Sequence, residues 1–393
     1  MKKIILLFFI ALFLFSCFGN KKNDVNFNVQ EPAPLIIGGK HIDGLSIEEA
    51  GTLTHIKLDI NPNDINKLNS LENIELLINL TGLVINVSNL NAIDLSPLAS
   101  LTNLIGISIN CGHLDSVDLN PLSSLINLKS FSVSGNNLNL FDFNPLATLK
   151  NLETLYIDGN ITMLPNLTLL EKLTHIIIKN SALETLEGLG APNLKRLEIQ
   201  METFDSLAPL SNLTELESLI ITTRSSGNRT SIGNIKNVTK LKSLTLRIGG
   251  EFDLSGIENL TNIIELRLDG TRTLLINPNA ISKLQNLEVF VLFLNEENPS
   301  IEFLQNFNKL EFLYIVSSFL FNSPPAFPVL DVSPLRNNRN LFYLDIRGFV
   351  VKKISSLDNL TFEDDSIRLF DSRLFNENDV SVHYLEFVPR NME

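Results

Sequence analysis

No tryptophan occurs in this 393-residue sequence, and tyrosine and cysteine appear only four and two times. Two cysteines exclude a disulfide framework. Basic residues are outnumbered, 31 Lys and Arg against 44 Asp and Glu, and no Lys/Arg-rich stripe stands out. That balance argues against nucleic acid as a partner. Catalytic signatures are missing as well. His41, His55, His113, His175 and His383 include no pair at close metal-ligand spacing. There is no GxSxG, no phosphate loop and no cysteine cluster, and Gly249-Gly250 reads as a turn. Cys111 falls just beyond an expected strand, where a small turn residue is the better reading than a nucleophile. No catalytic residue, cofactor or metal site is expected.

What the sequence has in abundance is Leu, Ile and Asn, arranged in one recurring phrase, Leu-x-x-Leu-x-Leu/Ile. Its clearest copies are Leu104/Ile107/Ile109, Leu128/Phe131/Val133, Leu152/Leu155/Ile157, Leu173/Ile176/Ile178 and Leu194/Leu197/Ile199. The series continues through copies led by Leu216, Leu241, Ile263, Leu287 and Leu310, with outer copies at Leu80 and Leu341 and a divergent first one at Leu53. Leading residues are mostly 21 to 25 apart, inside the leucine-rich-repeat range. Counting the leading residue as place 1, places 4 and 6 share one face of a short strand and point inward, while places 3, 5 and 7 point out. One unit buries almost nothing alone, so neighbours must stack their strands into a parallel ladder. A second apolar phrase, Pro97-Leu98-x-x-Leu101 and its copies from Pro121, Pro145 and Pro209, supplies a short helical turn on the opposite side, opened by proline. The two sides differ in width, so the stack should curve with its strands inside.

The stretch Leu-Asn-Pro-Leu-x-x-Leu-x-Asn-Leu-x-x-Phe at 119–131 resembles bacterial internalin-type leucine-rich repeats, and the resemblance covers roughly 53–346. It implies an α/β repeat solenoid, a horseshoe with a parallel sheet on the concave face and short helical or 3-10 turns on the convex face. It also implies Asn at place 9, bonding the backbone of the turn that leaves the strand. Asn136, Asn160 and Asn295 match; Ser88, Ser181, Thr271 and Ser318 offer a hydroxyl; Gly112, Glu202, Arg224, Gly249 and Phe349 break the pattern, so irregular turns are expected there.

The flanks read differently. Residues 1–16 have the form of a secretory signal, with Lys2 and Lys3 ahead of an uncharged run at 4–15. That run is too short for a comfortable span, which needs about 20 residues. Leu14-Phe15-Ser16-Cys17 resembles the bacterial lipobox, with Phe15 larger than usual. The resemblance implies lipidation of Cys17, a membrane partner through its acyl chains, and display outside the cytoplasm, with the outer membrane or cell surface favoured because Asp does not follow Cys17. Loss of Lys2 and Lys3 leaves 29 basic against 44 acidic residues, a net charge of −15. Residues 17–35 read as a flexible tether, 36–356 as the repeat domain with its N-terminal cap, and 357–393 as a C-terminal cap. Ile65, Leu68, Leu71 and Ile74 suggest a helical period on the outer side, the proline-rich stretch 322–328 a loop, and Ile367-Arg368-Leu369 and Val380/Val382/Tyr384 further strands.

Places 3, 5 and 7 spell out the inner face. It begins with small polar residues, Gly106, Ser108 and Asn110, then Ser130, Ser132 and Ser134. It becomes mixed and charged, with Tyr156, His175, Arg196, Arg247 and Arg267 as secondary binding candidates beside a plainer reading as cross-strand charge pairs. Then Val289, Val291, Phe293, Phe312, Tyr314, Val316 and Tyr343 make a nearly contiguous apolar and aromatic run. Such a run marks a partner-binding surface unless the stretch after Ser318 or the C-terminal tail covers it. The expected function is binding of a protein, with adhesion or host contact implied by the resemblance; a structural or assembly role in the cell envelope is the alternative. An enzyme using the repeats as scaffold is disfavoured, because about 40 residues after the last clear repeat do not make a catalytic domain of ordinary size.

Overall fold

The computed structural model describes residues 34–37, 40–46, 50–64, 68, 70–204, 206–224, 229–270, 273–296, 299–317, 328–360, 367–370, 373–375 and 382–384. Cys17, Thr271, Ser318 and the loop expected at 322–327 lie outside the described residues.

Fourteen strands form one sheet in which each pairs only with its neighbours in chain order, from His55–Ile60 to Ile367–Phe370. All thirteen pairings are parallel, and the register aligns the repeats place for place. Leu83, Ile107, Phe131 and Leu155 are consecutive partners at place 4, and Ile85, Ile109, Val133 and Ile157 at place 6. All eight are buried. Each such side chain removed from water contributes roughly 1.5–3 kcal/mol, but only because a neighbouring coil covers it.

The outer side follows a period of three rather than the 3.6 of an α-helix. Leu95, Leu98, Leu101 and Leu104 are all buried, and the N–H of each of the last three donates to the carbonyl three residues back. Consecutive tight turns of this kind return every third residue to the core. The 3-10 segments Ser96–Ser100, Asn120–Ser124 and Asn144–Thr148 each carry proline in their first turn. Just before them, Asp94, Asp118 and Asp142 accept the N–H groups of Ser96, Asn120 and Asn144 at 2.8–2.9 Å.

The same rule corrects the expected helical period over Leu68, Leu71 and Ile74, while Ile65 lies outside the described residues. Leu68 forms a parallel bridge with Ile60. Leu71, Ile74, Leu77 and Leu80 are linked by hydrogen bonds across three residues, with only Ile74–Leu76 forming a 3-10 segment. Apolar residues three apart mark turns here, not an amphipathic helix.

The expected backbone bonding at place 9 holds in part: Ser88 donates to the Ile60 carbonyl at 3.5 Å, and Ser181 donates to the Gln200 carbonyl and accepts the Leu183 N–H at 3.4 Å. Asn136 at place 9 is exposed and its amide meets the His113 ring, 3.1 Å from Nδ1. That turn is held by backbone hydrogen bonds, from Gly135 N–H to the Asp158 carbonyl and from Asn136 N–H to the Gly112 carbonyl. Asn160 does accept a backbone N–H, that of Asn139, at 3.4 Å. Glu202 and Arg224 at the same place pair with each other at 3.4 Å, and Phe349 turns fully into the core. The regular ladder sits just before the leading residue. There Asn79, Asn103, Asn127, Asn151, Asn193, Asn262 and Asn286 each donate from Nδ2 to a backbone carbonyl of the preceding coil, at 2.6–2.9 Å. Where lysine takes this place, Lys172 and Lys309 reach the Asn151 and Asn286 side chains instead.

Some coils add a strand away from the main sheet. Arg229–Ser231, Glu251–Asp253 and Leu274–Ile276 form a small parallel sheet, which the sequence did not suggest. At the start, Pro34–Ile37 and Lys40–Ser46 form an antiparallel hairpin, and Ile37 joins the common core. At the end, Val382–Tyr384 pairs antiparallel with Arg373–Phe375, so the expected edge strand or hairpin is present.

Candidate interaction surface

The concave face is built by places 3, 5 and 7, and its character changes along the stack. In the first coils a hydrogen-bonded rail runs along place 7. Asn86 donates to Asp59 at 2.6 Å, Asn110 donates to Asn86, and Ser134 donates to Asn110 at 2.6 Å. The sequence carried this signal as Asp, Asn, Asn and Ser at one place.

In the middle coils the charges find one another. Arg196 pairs with Glu198 at 3.0 Å and Lys179 reaches the same carboxylate at 3.6 Å. Arg267 pairs with Glu265 along its own strand, and Arg247 crosses to Asp269 at 3.1 Å. Exposed pairs of this kind contribute little to stability. Arg196, Arg247 and Arg267 are thus held by carboxylates rather than offered free. Tyr156 donates its hydroxyl to Asp158 at 3.2 Å, and burial, with that carboxylate beside it, pushes the phenol up to about 12. His175 is half-buried against Thr174; burial first, then Arg196 and Lys195, hold it below its ordinary pKa.

The aromatic stretch rests on three adjacent strands, Val289–Leu294, Phe312–Ser317 and Tyr343–Arg347. Their register places Val289, Phe312 and Tyr343 side by side, then Val291, Tyr314 and Asp345, then Phe293, Val316 and Arg347. Five of the seven side chains proposed from sequence remain half-buried on the face: Val289, Phe293, Phe312, Tyr314 and Tyr343. Val291 and Val316 do not, at 7% and 9% exposure. Each small branched side chain lies between larger residues on the flanking strands, Arg267 and Tyr314 for the one, Phe293 and Arg347 for the other. These two support the surface from beneath.

Sequence reading missed Phe342. It stands at place 2, outside the places assigned to the inner face, and is 37% exposed. Its ring meets Phe312 edge-on with centroids 4.6 Å apart. Phe312 lies 5.9 Å from Tyr343, and Tyr343 lies 5.1 Å from Tyr314. Four rings therefore interlock across the width of two strands, in tilted and edge-on contacts that favour aromatic pairs. The available signal was that Phe342 is the only aromatic residue at place 2 in the array. Burial foremost, then Tyr343 and Asp345, raises the Tyr314 phenol above its ordinary value, so it acts as a neutral hydroxyl. Beside it on the next strand Asp345, its side chain 1% exposed, takes Arg347 in a two-bond fork at 2.8 and 2.7 Å.

Cys111 is buried and its thiol is pushed up to about 12 by that burial, so it is no thiolate at neutral pH. Among the described residues no group of three or more His, Cys, Asp or Glu could hold a metal ion, and no helix is long and apolar enough to cross a membrane.

No protein-family model matches the sequence, and no curated protein matches it either. Solved structures do match in shape. An internalin from Listeria monocytogenes aligns with a TM-score of 0.63 at 22% identity, over 83% of this chain and 89% of its own. A leucine-rich-repeat protein of Leptospira interrogans aligns with a TM-score of 0.55 at 18% identity, over 80% and 86%. TLR13 in complex with ssRNA13 aligns with a TM-score of 0.59 at 19% identity, over 84% of this chain and 52% of that one. At such identities the likeness is one of architecture, and the architecture shared is the leucine-rich-repeat solenoid.

Proposed function

We propose that this chain is a protein-binding leucine-rich-repeat protein, displayed outside the cytoplasm on a lipid attached to Cys17. It takes its partner on the concave surface made by Phe312, Tyr314, Phe342 and Tyr343, with Val289 and Phe293 alongside. One observation carries this reading. Four interlocked rings stand half-exposed together on a sheet face whose half-exposed apolar residues in other coils, Val84, Ile177 and Ile220, are single aliphatic side chains at place 5. Aromatic side chains held rigid by their neighbours supply large contact area at little entropic cost, and such residues dominate binding energy at protein interfaces. The likeness to an internalin favours adhesion or host contact as the setting, by analogy of fold alone. TLR13 meets RNA on a related scaffold, but the net charge of −13 here disfavours a polyanion.

The test is capture by the purified tagged protein from host-cell extract and, separately, from bacterial envelope extract. Phe312→Ser with Tyr314→Ser should abolish capture of the specific partner while the circular dichroism spectrum is unchanged. A double variant that still captures it removes this surface from consideration; one that unfolds shows the rings to be core. The anchor has its own readout: labelled palmitate should enter the wild-type chain in bacteria and not Cys17→Ser, and protease shaving of intact cells reports display.

A further inference from the structure

The residues at place 2 line the edge of the concave face, and their charges alternate with one exception. Lys129 pairs with Glu153 on the next strand at 2.9 Å, and Glu217 pairs with Lys242 at 2.6 Å. Glu288 and Glu311 break the rule. The register that sets Val289 against Phe312 puts these two carboxylates on adjacent strands, and neither has an ion pair among the described residues. Like charges on neighbouring strands are unfavourable in a sheet. Most of the basic groups nearby are occupied elsewhere. Lys309 bonds the Asn286 side chain at 2.6 Å, Arg267 and Arg347 are taken by Glu265 and Asp345, and Arg339 sits on the turn leading into its strand. The next residue along this edge is Phe342, whose ring is locked against Phe312. An acidic pair thus adjoins a bank of ring faces, a combination that suits one kind of visitor. A cationic side chain gains from the aromatic quadrupole and from the carboxylates at once.

We propose that the partner of this surface presents a basic segment, with a Lys or Arg side chain lying on the Phe312 and Phe342 rings and its charge directed to Glu288 and Glu311. This rests on the reading of the concave aromatic face as the protein-binding surface and adds the chemistry of what binds there. The acidic balance of the whole chain, net −13, steers such a segment toward it.

The test uses three fluorescent peptides of equal length, one alternating Lys and Arg with Gly, one with Glu in the basic positions, and one with Gln. Binding of each to the full chain is read by anisotropy at low and physiological salt. The basic peptide should bind and the acidic one should not. Glu288→Gln with Glu311→Gln should weaken the basic peptide about five- to tenfold, and Phe342→Ser by a similar factor. Glu171→Gln with Glu302→Gln, which removes the same charge far from the rings, should change it less than twofold. Equal losses from the two charge pairs would overturn the proposal, since attraction would then be diffuse. Preference for the Gln peptide, with loss on Phe312→Ser, overturns the basic partner but keeps the protein-binding face. Binding of all three peptides undiminished by either ring substitution overturns both.

Discussion

At the scale of single residues, the tightest constraint is glycine at place 8 of certain coils, where the chain leaves the strand. A Cβ on Gly159 would collide with the Gly135 carbonyl of the preceding coil and with the Leu138 side chain, and one on Gly270 with the Ile248 carbonyl. Backbone cannot retreat as a flexible side chain can. Gly159→Ala should therefore cost about 1–3 kcal/mol, read as a lowered midpoint in urea with an unchanged slope. His175 gives a pH signature. Its pKa in the folded chain lies below the ordinary 6.5, mainly through burial, so the unfolded chain binds the proton more readily. Stability is fully present above about pH 6.5 and falls as pH drops through the folded pKa. His175→Gln should flatten the thermal midpoint between pH 7 and pH 5, and an unaltered slope would show that other groups set it. Glu311→Gln removes one of two adjacent like charges and should raise stability by a few tenths of a kcal/mol at low salt, the gain vanishing in high salt. Three of the four surface rings, Phe312, Tyr314 and Tyr343, were legible from places 3 and 5. The burial of Val291 and Val316 was not, because it depends on how far the side chains of flanking strands extend.

At the scale of the element, each coil is a strand followed by a string of three-residue turns. The strands were readable because inward and outward places alternate with a period of two, whatever the turns do. The outer side was misread up to Ile74 because periods of 3 and 3.6 look alike over so short a stretch; the hydrogen bonds across three residues from Leu71 onward decide between them. The asparagine ladder before the leading residues went unread for a different reason. Eight Asn stand there against three at place 9, but only the path of the neighbouring coil shows that each has a carbonyl within reach. Asn127 donates to Thr102 at 2.9 Å. Asn127→Ala leaves that carbonyl without its amide and should cost about 1 kcal/mol, as measured by denaturation; Asn136→Ala, whose amide meets only the exposed His113 ring, should cost less than half as much. Comparable losses at the two positions would place the structural ladder wrongly.

At the scale of the whole molecule, the chain behaves as a one-dimensional stack whose interior exists only between neighbours. Its two faces divide the work. The core is continuous from Ile37 to Leu360, while the concave face passes from a polar rail through ion pairs to the interlocked rings. Periodicity revealed the stack, since a dozen copies repeat it. The proposed binding surface is a single departure from that period, so it was visible only as a change of character and its edge residue Phe342 was lost. Because nearest-neighbour interfaces carry the stability, a proline at Ile177 should disrupt the sheet locally and split unfolding into two transitions, seen by calorimetry against the single transition of the parent chain.

The binding surface is tested most directly by placing a photoreactive phenylalanine analogue at Phe342 and, in a second protein, at Leu169, which is equally open to solvent or more so at 62% exposure but lies in a different coil. After irradiation with the captured partner, the Phe342 position should give the covalent adduct and the Leu169 position none. Adduct from Leu169 with none from Phe342 would contradict the assignment of the concave aromatic surface as the place where the partner sits.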